Sequence, residues 1–400
     1  MNVLVADSFP ESGLAALRGA GCSVEYLPDL TKEGLGEAVA KTSAEVLIVR
    51  STEVPGEALR RGRLALVVRA GAGYNTIDVK TASEMGIYVS NCPGKNAVAV
   101  AELAIGLLLC LDRQIPDAVA DLRRGVFDKA RYAKAGGLFG RSLGILGTGS
   151  IGQEVAHRAR AFGMRVLAWS RSLTEESARA MGITRVASPV KLAAASDALS
   201  VHLALKPETR GLLDQEFFQA LRPGTLFVNT ARAELVDEAA LLEAVRTKKI
   251  RAALDVFSGE PNSSKGTVQN PLFQEPGVLG THHIGASTQQ AQDAIAEESV
   301  RITKEYKATG RVPNCVNIAR RTPATHLLVV RHRDRVGVLA HVFGSLKDAG
   351  INAQQTENIV FEGASAAIAR IQLDQEPPLG VLDGIRAGSE DVLALSVVRI

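Results

Sequence analysis

The sequence predicts an α/β protein built on parallel sheets and followed by a small β-α-β-β-α-β module. Short β-branched runs, apolar almost throughout, alternate with helix-length segments up to about residue 285. That is the pattern of parallel strands covered on both faces. After about residue 310 the texture changes, and the remainder parses as strand (326–332), helix (337–349), strand (352–361), strand (364–373), helix (379–387) and strand (392–400). This order is the ferredoxin-like split βαβ unit. The 400 residues are 46% hydrophobic and 22% charged, with 37 Gly and 15 Pro. Such globular composition, at ~100–200 residues per domain, makes room for two or three domains.

Composition also excludes several classes. Lys+Arg is 46 and Asp+Glu 43, a net charge of +3 with the basic residues scattered, so a nucleic-acid-binding role is not expected. The longest apolar run, Leu103 to Leu111, holds nine residues, against ~20 for a membrane span. MNVLVADSFPESG has no basic n-region and reads as a first strand ending in Asp7. Cys22, Cys92, Cys110 and Cys315 are isolated, with neither C-x-x-C nor metal spacing. A cytoplasmic protein with reduced thiols and no metal is expected.

The strand candidates follow in order. NVLVAD (2–7), VEYL (24–27), VLIVR (46–50), ALVVRAG (65–71) and IYVSN (87–91) precede a long helical stretch from Ala97 to about Leu111. SLGIL, MRVLAW, DALSVHL, TLFVNTA, IRAALDVF and VLGTHHIG then run from Ser142 to about Gly285. RVPNCVNIARRTPAT (311–325) reads as a linker, and EPNSSKGTVQNP (260–271) as an irregular insertion.

Gly147-x-Gly149-x-x-Gly152 follows an apolar strand and opens a helix that runs to about Phe162, with a second strand from Met164. That context makes the glycine pattern a dinucleotide fingerprint. Gly147 allows the tight turn, Gly149 lets backbone approach the pyrophosphate, and Gly152 lets helix and strand pack. The acidic residue expected about 20 positions on is absent, and Ser170 and Arg171 stand there instead. A carboxylate would repel a ribose 2′-phosphate and an Arg would attract it, so NAD and NADP are equally open.

Three successive strands end in residues capable of chemistry: Arg232 after TLFVNTA, Asp255 and then Glu260 after RAAL, and His282-His283 after VLGT. Ligands sit beyond the carboxyl ends of strands in open α/β sheets. Arg232 suits a substrate carboxylate. A histidine there suits proton exchange during hydride transfer, with Glu260 stabilising the imidazolium and fixing the tautomer. Only one of two neighbours on an extended strand faces the cleft, which leaves His282 and His283 open on spacing alone.

GILGTGSIG, VNTARAELVDEAAL, AALDVFSGEP and HHIGAST resemble the signatures of the D-2-hydroxyacid dehydrogenases, as do RAGAGYNTID (69–78), NCPGKNAVAVAELAIGLLL (91–109) and CLDRQIPDAVADLRRGVF (110–127). The resemblance covers about residues 46–305, and it is strongest to the branch that oxidises 3-phosphoglycerate at the entry to serine biosynthesis. It implies two Rossmann-like doubly wound lobes. The substrate lobe would comprise 1–91 and 286–318, and the dinucleotide domain 92–285. It implies the catalytic set Arg232, Glu260 and His283, the histidine being the one directly before Ile-Gly-Ala-Ser. Cofactor contacts carried over are Ser150, Ile151, Ser170, Thr230, Asp255 and Gly285. Substrate contacts are Arg50, Arg69, Gly71 and Gly73. A phosphorylated 2-hydroxy acid needs cations, which Arg50 and Arg69 supply, with Arg131 a third candidate from a partner subunit. A homodimer or homotetramer is expected. Ser170 replaces the family's usual Asp, His282 its Pro, and Ala233 a common Gly, and the insertion after Glu260 is longer than usual. An NADPH-preferring glyoxylate or hydroxypyruvate reductase is the alternative enzyme. A dinucleotide-sensing corepressor is disfavoured by the intact triad and the folded tail.

The tail, 322–400, is similar to an ACT domain, with HRDRVGVLA (332–340) carrying Val336 where that family has Pro. Val338, Leu339, Val342, Phe343 and Leu346 form one helical stripe. Asp334 and Asn352 are the expected effector contacts, with L-serine bound between two such tails.

Overall fold

The computed structural model describes residues 1–261, 265–319 and 321–400. The irregular insertion is described at both ends, and its residues 262–264 lie outside the described set. The chain divides into two compact units, Met1–Asn317 and Ile318–Ile400.

The first unit holds two wholly parallel sheets. One has β1 (Asn2–Val5), β2 (Ser23–Tyr26), β3 (Val46–Val49), β4 (Leu66–Arg69) and β5 (Tyr88–Asn91), in the order β2-β1-β3-β4-β5. The other has β6 (Ser142–Leu146), β7 (Arg165–Trp169), β8 (Thr184–Arg185), β9 (Ala198–Val201), β10 (Leu226–Asn229), β11 (Arg251–Leu254) and β12 (Val278–Gly280), in the order β12-β11-β10-β9-β6-β7-β8. The two-residue β8 escaped sequence reading because it is too short to show a period. Every residue of β3, β6, β9 and β10 is buried. The sequence's unbroken apolar runs therefore follow from helices covering both faces of each sheet. Strand order reverses at β1/β3 and at β6/β9, and such switch points open crevices at the carboxyl ends.

Helix Ala97–Arg113 lies on the face of the second sheet formed by Leu143, Ile145, Ala198, Val228 and Ala253. Phe217, Phe218 and Phe227 fill the opposite face with edge-on rings 5.3 and 5.4 Å apart. The 21-residue helix Gln289–Thr309 returns to the first sheet, where Ile295, Ala296, Val300 and Ile302 join the core.

The linker expected over 311–325 begins later than the sequence suggests. Residues 311–317 belong to the first unit: Cys315 bridges antiparallel to Ser90, the Ser90 hydroxyl donates to the Pro313 carbonyl (2.6 Å), and the Val89 N–H donates to Asn317 Oδ1 (2.9 Å). Its Pro and Asn content mimics a linker, while its backbone completes the edge beside β5. Glu298, on the Gln289–Thr309 helix, fastens this segment. Its carboxylate accepts from Arg301 (2.6 Å) and Asn314 Nδ2 (2.8 Å) and faces Lys95 at 3.5 Å.

The second unit is a four-stranded antiparallel sheet ordered β14-β15-β13-β16, built from β13 (His326–Arg333), β14 (Ala353–Val360), β15 (Ala366–Leu373) and β16 (Val392–Arg399). Leu328, Val330, Ala369 and Ile371 pack against Val338, Val342 and Leu346 of helix Val338–Asp348 and Ile385 of helix Leu379–Ala387. Asp334 and Asn352 do not converge within one chain. Asp334 precedes the 11-residue helix and Asn352 follows it, a separation of about 16 Å along its axis. Register agrees: Ala353 and His326 both pair with Leu373, whereas Arg333 pairs with Ala366 at the other end. A ligand touching both residues needs a second copy.

The cations around Glu298 hold its carboxyl well below the ordinary range, at about 2, with Arg301 the largest cause and burial opposing it. A depressed carboxylate stabilises the fold above its unfolded value, ~4.3, and that contribution is lost as pH falls through the folded value. Glu298→Gln should therefore lower the melting temperature at pH 7. The gap to the parent chain should close between about pH 4.3 and pH 2, read by circular dichroism melts across that range.

Candidate active site at the carboxyl edges of the parallel sheets

The dinucleotide cradle is built by steric exclusion. Gly147 has φ +97°, and a Cβ there would stand 2.6 Å from the His202 carbonyl oxygen. A Cβ on Gly152 would stand 2.0 Å from the Gly147 carbonyl oxygen. Gly149 instead faces open space and is the N-cap of helix Ser150–Ala161, which no side chain caps. The first-turn N–H groups around Ser150 and Ile151 are thus presented to an anion with the positive end of the helix dipole behind them. Ser170 follows β7, half-buried. The exposed Arg171 guanidinium stands 3.9 Å from Glu208, a surface pairing that leaves it reachable.

The catalytic candidates do come together. Glu260 Oε2 lies 2.8 Å from His283 Nδ1, and Glu260 Oε1 accepts from the Phe257 N–H at 2.8 Å. Burial alone pushes the Glu260 carboxyl up. The His283 and Phe257 hydrogen bonds and the nearby Arg232 charge outweigh it, so the net direction is down and the group is carboxylate. With Nδ1 held, Nε2 is the nitrogen left to exchange a proton.

Strand alternation does not decide between the two histidines. β12 ends at Gly280, and His283 lies beyond it in the left-handed region at φ +52°. Asp255 holds it there. This carboxylate, 1% exposed, accepts from Thr281 Oγ1 (2.6 Å), the Ile284 N–H (2.8 Å) and the Gly285 N–H (2.9 Å). Both oxygens of Asp255 are engaged by the loop, so its first task is to hold that loop. Gly285 fits because a Cβ would approach Asp255 Oδ2 to 3.0 Å.

Arg232 is set by the buried Asn229, whose Oδ1 accepts from the Ala231 N–H (3.0 Å) and whose Nδ2 donates to the Arg232 carbonyl (2.9 Å). The Arg232 guanidinium crosses to the first sheet's loop, where a Cβ on Gly73 would lie 2.0 Å from Nη2. Gly71, at φ +147°, gives the same room to Arg69, whose Nη1 would stand 1.5 Å from a Cβ. These two glycines are therefore spaces for arginines. Arg69 is pushed down to about 10, first by burial and then by the Arg232 and Arg50 charges. Arg50 completes the cluster. Its loop is fixed by Asp7 Oδ2, which accepts the N–H groups of Arg50, Ser51 and Thr52 at 2.7, 3.1 and 3.1 Å. Its Nη2 reaches Ser287 on the loop after His283, at 3.5 Å. Among the described residues no carboxylate pairs with Arg50, Arg69 or Arg232, and Arg69 Nε is buried without a partner. Arg131, the third candidate, pairs within its own chain with Asp121 at 3.0 Å.

Sequence reading passed over three contributors. Asp7 and Asn229 were visible only as polar strand ends. His202 was visible only as part of an apolar run. Thr230 Oγ1, Asn96 Oδ1 and His202 Nδ1 are buried without partners on the side of helix Ala97–Arg113. Buried orphans beside a glycine cradle are what a dinucleotide site shows without its ligand, so the residues present fit that cofactor.

His283→Ala is expected to cut turnover by roughly 100- to 10,000-fold, the range of general acid–base catalysis, with nucleotide binding retained. His282→Ala is expected to be mild. Asp255→Ala should approach the His283→Ala phenotype, because it releases the loop. Stopped-flow turnover with parallel binding measurements reads all three.

Residues 105–285 match the D-isomer specific 2-hydroxyacid dehydrogenase NAD binding domain. The chain is 36% identical over 379 residues to D-3-phosphoglycerate dehydrogenase of Methanocaldococcus jannaschii, covering 93% of this chain and 67% of that protein. It is 40% identical over 321 residues to the Mycobacterium leprae enzyme of the same name, covering 79% and 58%. The chain thus spans roughly two thirds or less of the length of these relatives. The NAD+-bound 3-phosphoglycerate dehydrogenase of Entamoeba histolytica superposes with a TM-score of 0.67 at 26% identity, over 80% of this chain and 99% of that one. On its sequence, its paired sheets and its His283–Glu260–Arg232 site, the chain belongs to the D-isomer specific 2-hydroxyacid dehydrogenases.

Proposed function

We propose that this chain oxidises 3-phospho-D-glycerate to 3-phosphohydroxypyruvate with NAD, the first step of L-serine biosynthesis, as a cytoplasmic enzyme. The observation that carries the reading is the arginine cluster. Three guanidinium groups from two sheets converge with no carboxylate among the described residues in ion-pair contact with them, beside a glutamate-held histidine. Such a cluster is stabilised by a substrate with more than one negative charge. Relatives that carry this enzyme name lend support.

The nicotinamide of the dinucleotide supplies the hydride acceptor. The protein does the rest. His283 Nε2 takes the proton of the substrate's 2-hydroxyl, and Glu260 stabilises the imidazolium that results. Arg232 forks the carboxylate and polarises the forming ketone. Arg50 and Arg69 receive the phosphate. With lobes dividing at 91/92 and 285/286, these groups would face the substrate from opposite sides. Ser170 and Arg171 favour NADPH as an alternative cofactor, and with it a glyoxylate or hydroxypyruvate reductase.

The test is absorbance at 340 nm with 3-phosphoglycerate, glyoxylate or hydroxypyruvate and each cofactor. Turnover of 3-phosphoglycerate with NAD is expected, and turnover only of the unphosphorylated acids with NADPH replaces the reading by the reductase. Arg50→Ala should raise KM for 3-phosphoglycerate about tenfold or more, the loss of one charge-assisted contact, and leave KM for an unphosphorylated 2-hydroxy acid nearly unchanged. Ser170→Asp should shift preference further toward NAD.

The tail is proposed as an ACT-like sensor in which L-serine lies between Asp334 of one copy and Asn352 of another. The homo-oligomer this requires is supported by exposed apolar side chains outside the tail, Leu122, Phe127 and Phe139. Millimolar L-serine is expected to lower turnover and raise the melting temperature of the full chain but not of a 1–317 truncation. No change in the full chain leaves the tail as a dimerisation module, and sedimentation of both chains reads the oligomer.

A further inference from the structure

The loop that admits the arginines is fastened from the neighbouring strand. Gly71 and Gly73 flank Ala72, and glycine leaves the backbone a wide choice of conformation, so the loop's shape must come from outside it. The Cys92 N–H donates to the Gly71 carbonyl (2.9 Å), and Asn91 Nδ2 donates to the Ala72 carbonyl (2.6 Å). The first fastening is backbone to backbone and does not depend on a side chain. The second is a single side chain, 8% exposed, at the last position of β5 and opposite Arg69 in register. Only the amide nitrogen of Asn91 can serve there, because its oxygen, like the carbonyl's, is an acceptor.

Asn91 is itself held from the far side. Its carbonyl accepts from Asn314 Nδ2 at 3.3 Å, and the same nitrogen donates to Glu298 Oε1 at 2.8 Å. Asn314 stands at φ +53°, in the left-handed region that asparagine enters more readily than most residues. The strand end is thus anchored on one side and anchors the loop on the other. The two fastenings divide the loop between two arginines. Gly71, held by backbone, gives room to Arg69, the arginine assigned to phosphate. Gly73 follows the carbonyl held by Asn91 and gives room to Arg232, the arginine assigned to carboxylate. A trans peptide is planar, so holding the Ala72 carbonyl fixes the plane that leads into Gly73. The Asn91 amide therefore sets where the space for Arg232 lies.

We propose that Asn91 is a positioning residue for substrate binding, acting through the Ala72 carbonyl on Gly73 and Arg232. This rests on the dehydrogenase reading above and adds to it a residue that serves one end of the substrate. Every 2-hydroxy acid carries the carboxylate that Arg232 meets, and only some carry a phosphate. Loss of the Asn91 amide therefore weakens phosphorylated and unphosphorylated acids alike, in contrast to loss of Arg50. The dinucleotide cradle at Gly147, Gly149 and Gly152 belongs to the other sheet and keeps its affinity.

The experiment measures KM and kcat of the full chain with 3-phosphoglycerate and with D-glycerate, which differs only in lacking the phosphate, and NADH affinity by fluorescence. Asn91→Leu is expected to raise both KM values by one common factor, roughly tenfold, the loss of a buried hydrogen bond. kcat should fall far less, the pattern of an interaction made equally in ground and transition state, and NADH affinity should stay the same. Asn91→Ser keeps a donor of shorter reach and should recover part of the loss. Unchanged KM for both acids overturns the proposal, as does a rise confined to 3-phosphoglycerate. A loss of kcat and NADH affinity in step with KM would show a merely structural asparagine and overturn it too. Should Asn91→Leu not fold, Asn91→Ala against Asn91→Ser carries the same comparison. Wild-type protein that oxidises D-glycerate but not 3-phosphoglycerate overturns the phosphoglycerate reading alone, and Asn91 is then judged by KM, kcat and NADH affinity with D-glycerate. Turnover of neither acid overturns both.

Discussion

The carboxylate of Asp255 is the contact on which the site's geometry turns. A histidine at φ +52° costs of order 1–3 kcal/mol. Hydrogen bonds to a charged acceptor contribute about 1.5–3 kcal/mol each, and Asp255 accepts two N–H groups immediately after His283 and the Thr281 hydroxyl before it. The hydrogen bonds win, and the loop stays in a conformation that strand continuation would forbid. His283 is thereby turned to Glu260, 2.8 Å from its Nδ1. Asp7 does the same work on the other sheet, where one carboxylate oxygen gathers three successive N–H groups and sets Arg50. Both devices place an acid at a strand end under the neighbouring strand's loop, which gives loops the rigidity of the sheet.

The two sheets meet through arginines and the glycines that admit them. Arg232 leaves the second sheet and lies over Gly73 of the first, while Arg69 lies over Gly71. Charges of one sign at this distance raise each other's energy, and burial removes the water that would screen them. Arg69 is pushed down to about 10, first by burial and then by the Arg232 and Arg50 charges. An anion entering the cleft would lower that energy, which is the electrostatic ground of the substrate proposed above.

Within the tail, physical separation matters more than residue identity. Asp334 and Asn352 sit at opposite ends of one helix, so any ligand touching both joins two chains. The sequence spacing of 18 positions hid this, because a helix and its turns bring the chain back alongside the sheet without bringing the two ends together.

By itself the sequence determined the candidate residues at the strand ends and every strand but β8. Unbroken apolar runs force parallel strands with both faces covered, and a glycine fingerprint between strand and helix forces an anion cradle, since only glycine fits at Gly147 and Gly152. Arg232, Glu260 and His283 were legible as strand-end residues for the same reason, that strand ends of such sheets face the crevice. What the sequence left open was decided by contacts between segments far apart in the chain. Periodicity could not choose His283 over His282, because the choice lies in hydrogen bonds to Asp255 some 29 and 30 positions away. Nor could it show that residues 311–317 close a sheet edge, because their partners lie on β5. Local pattern records which face of an element is buried. Which backbone group meets which side chain is fixed only when the sheets are assembled.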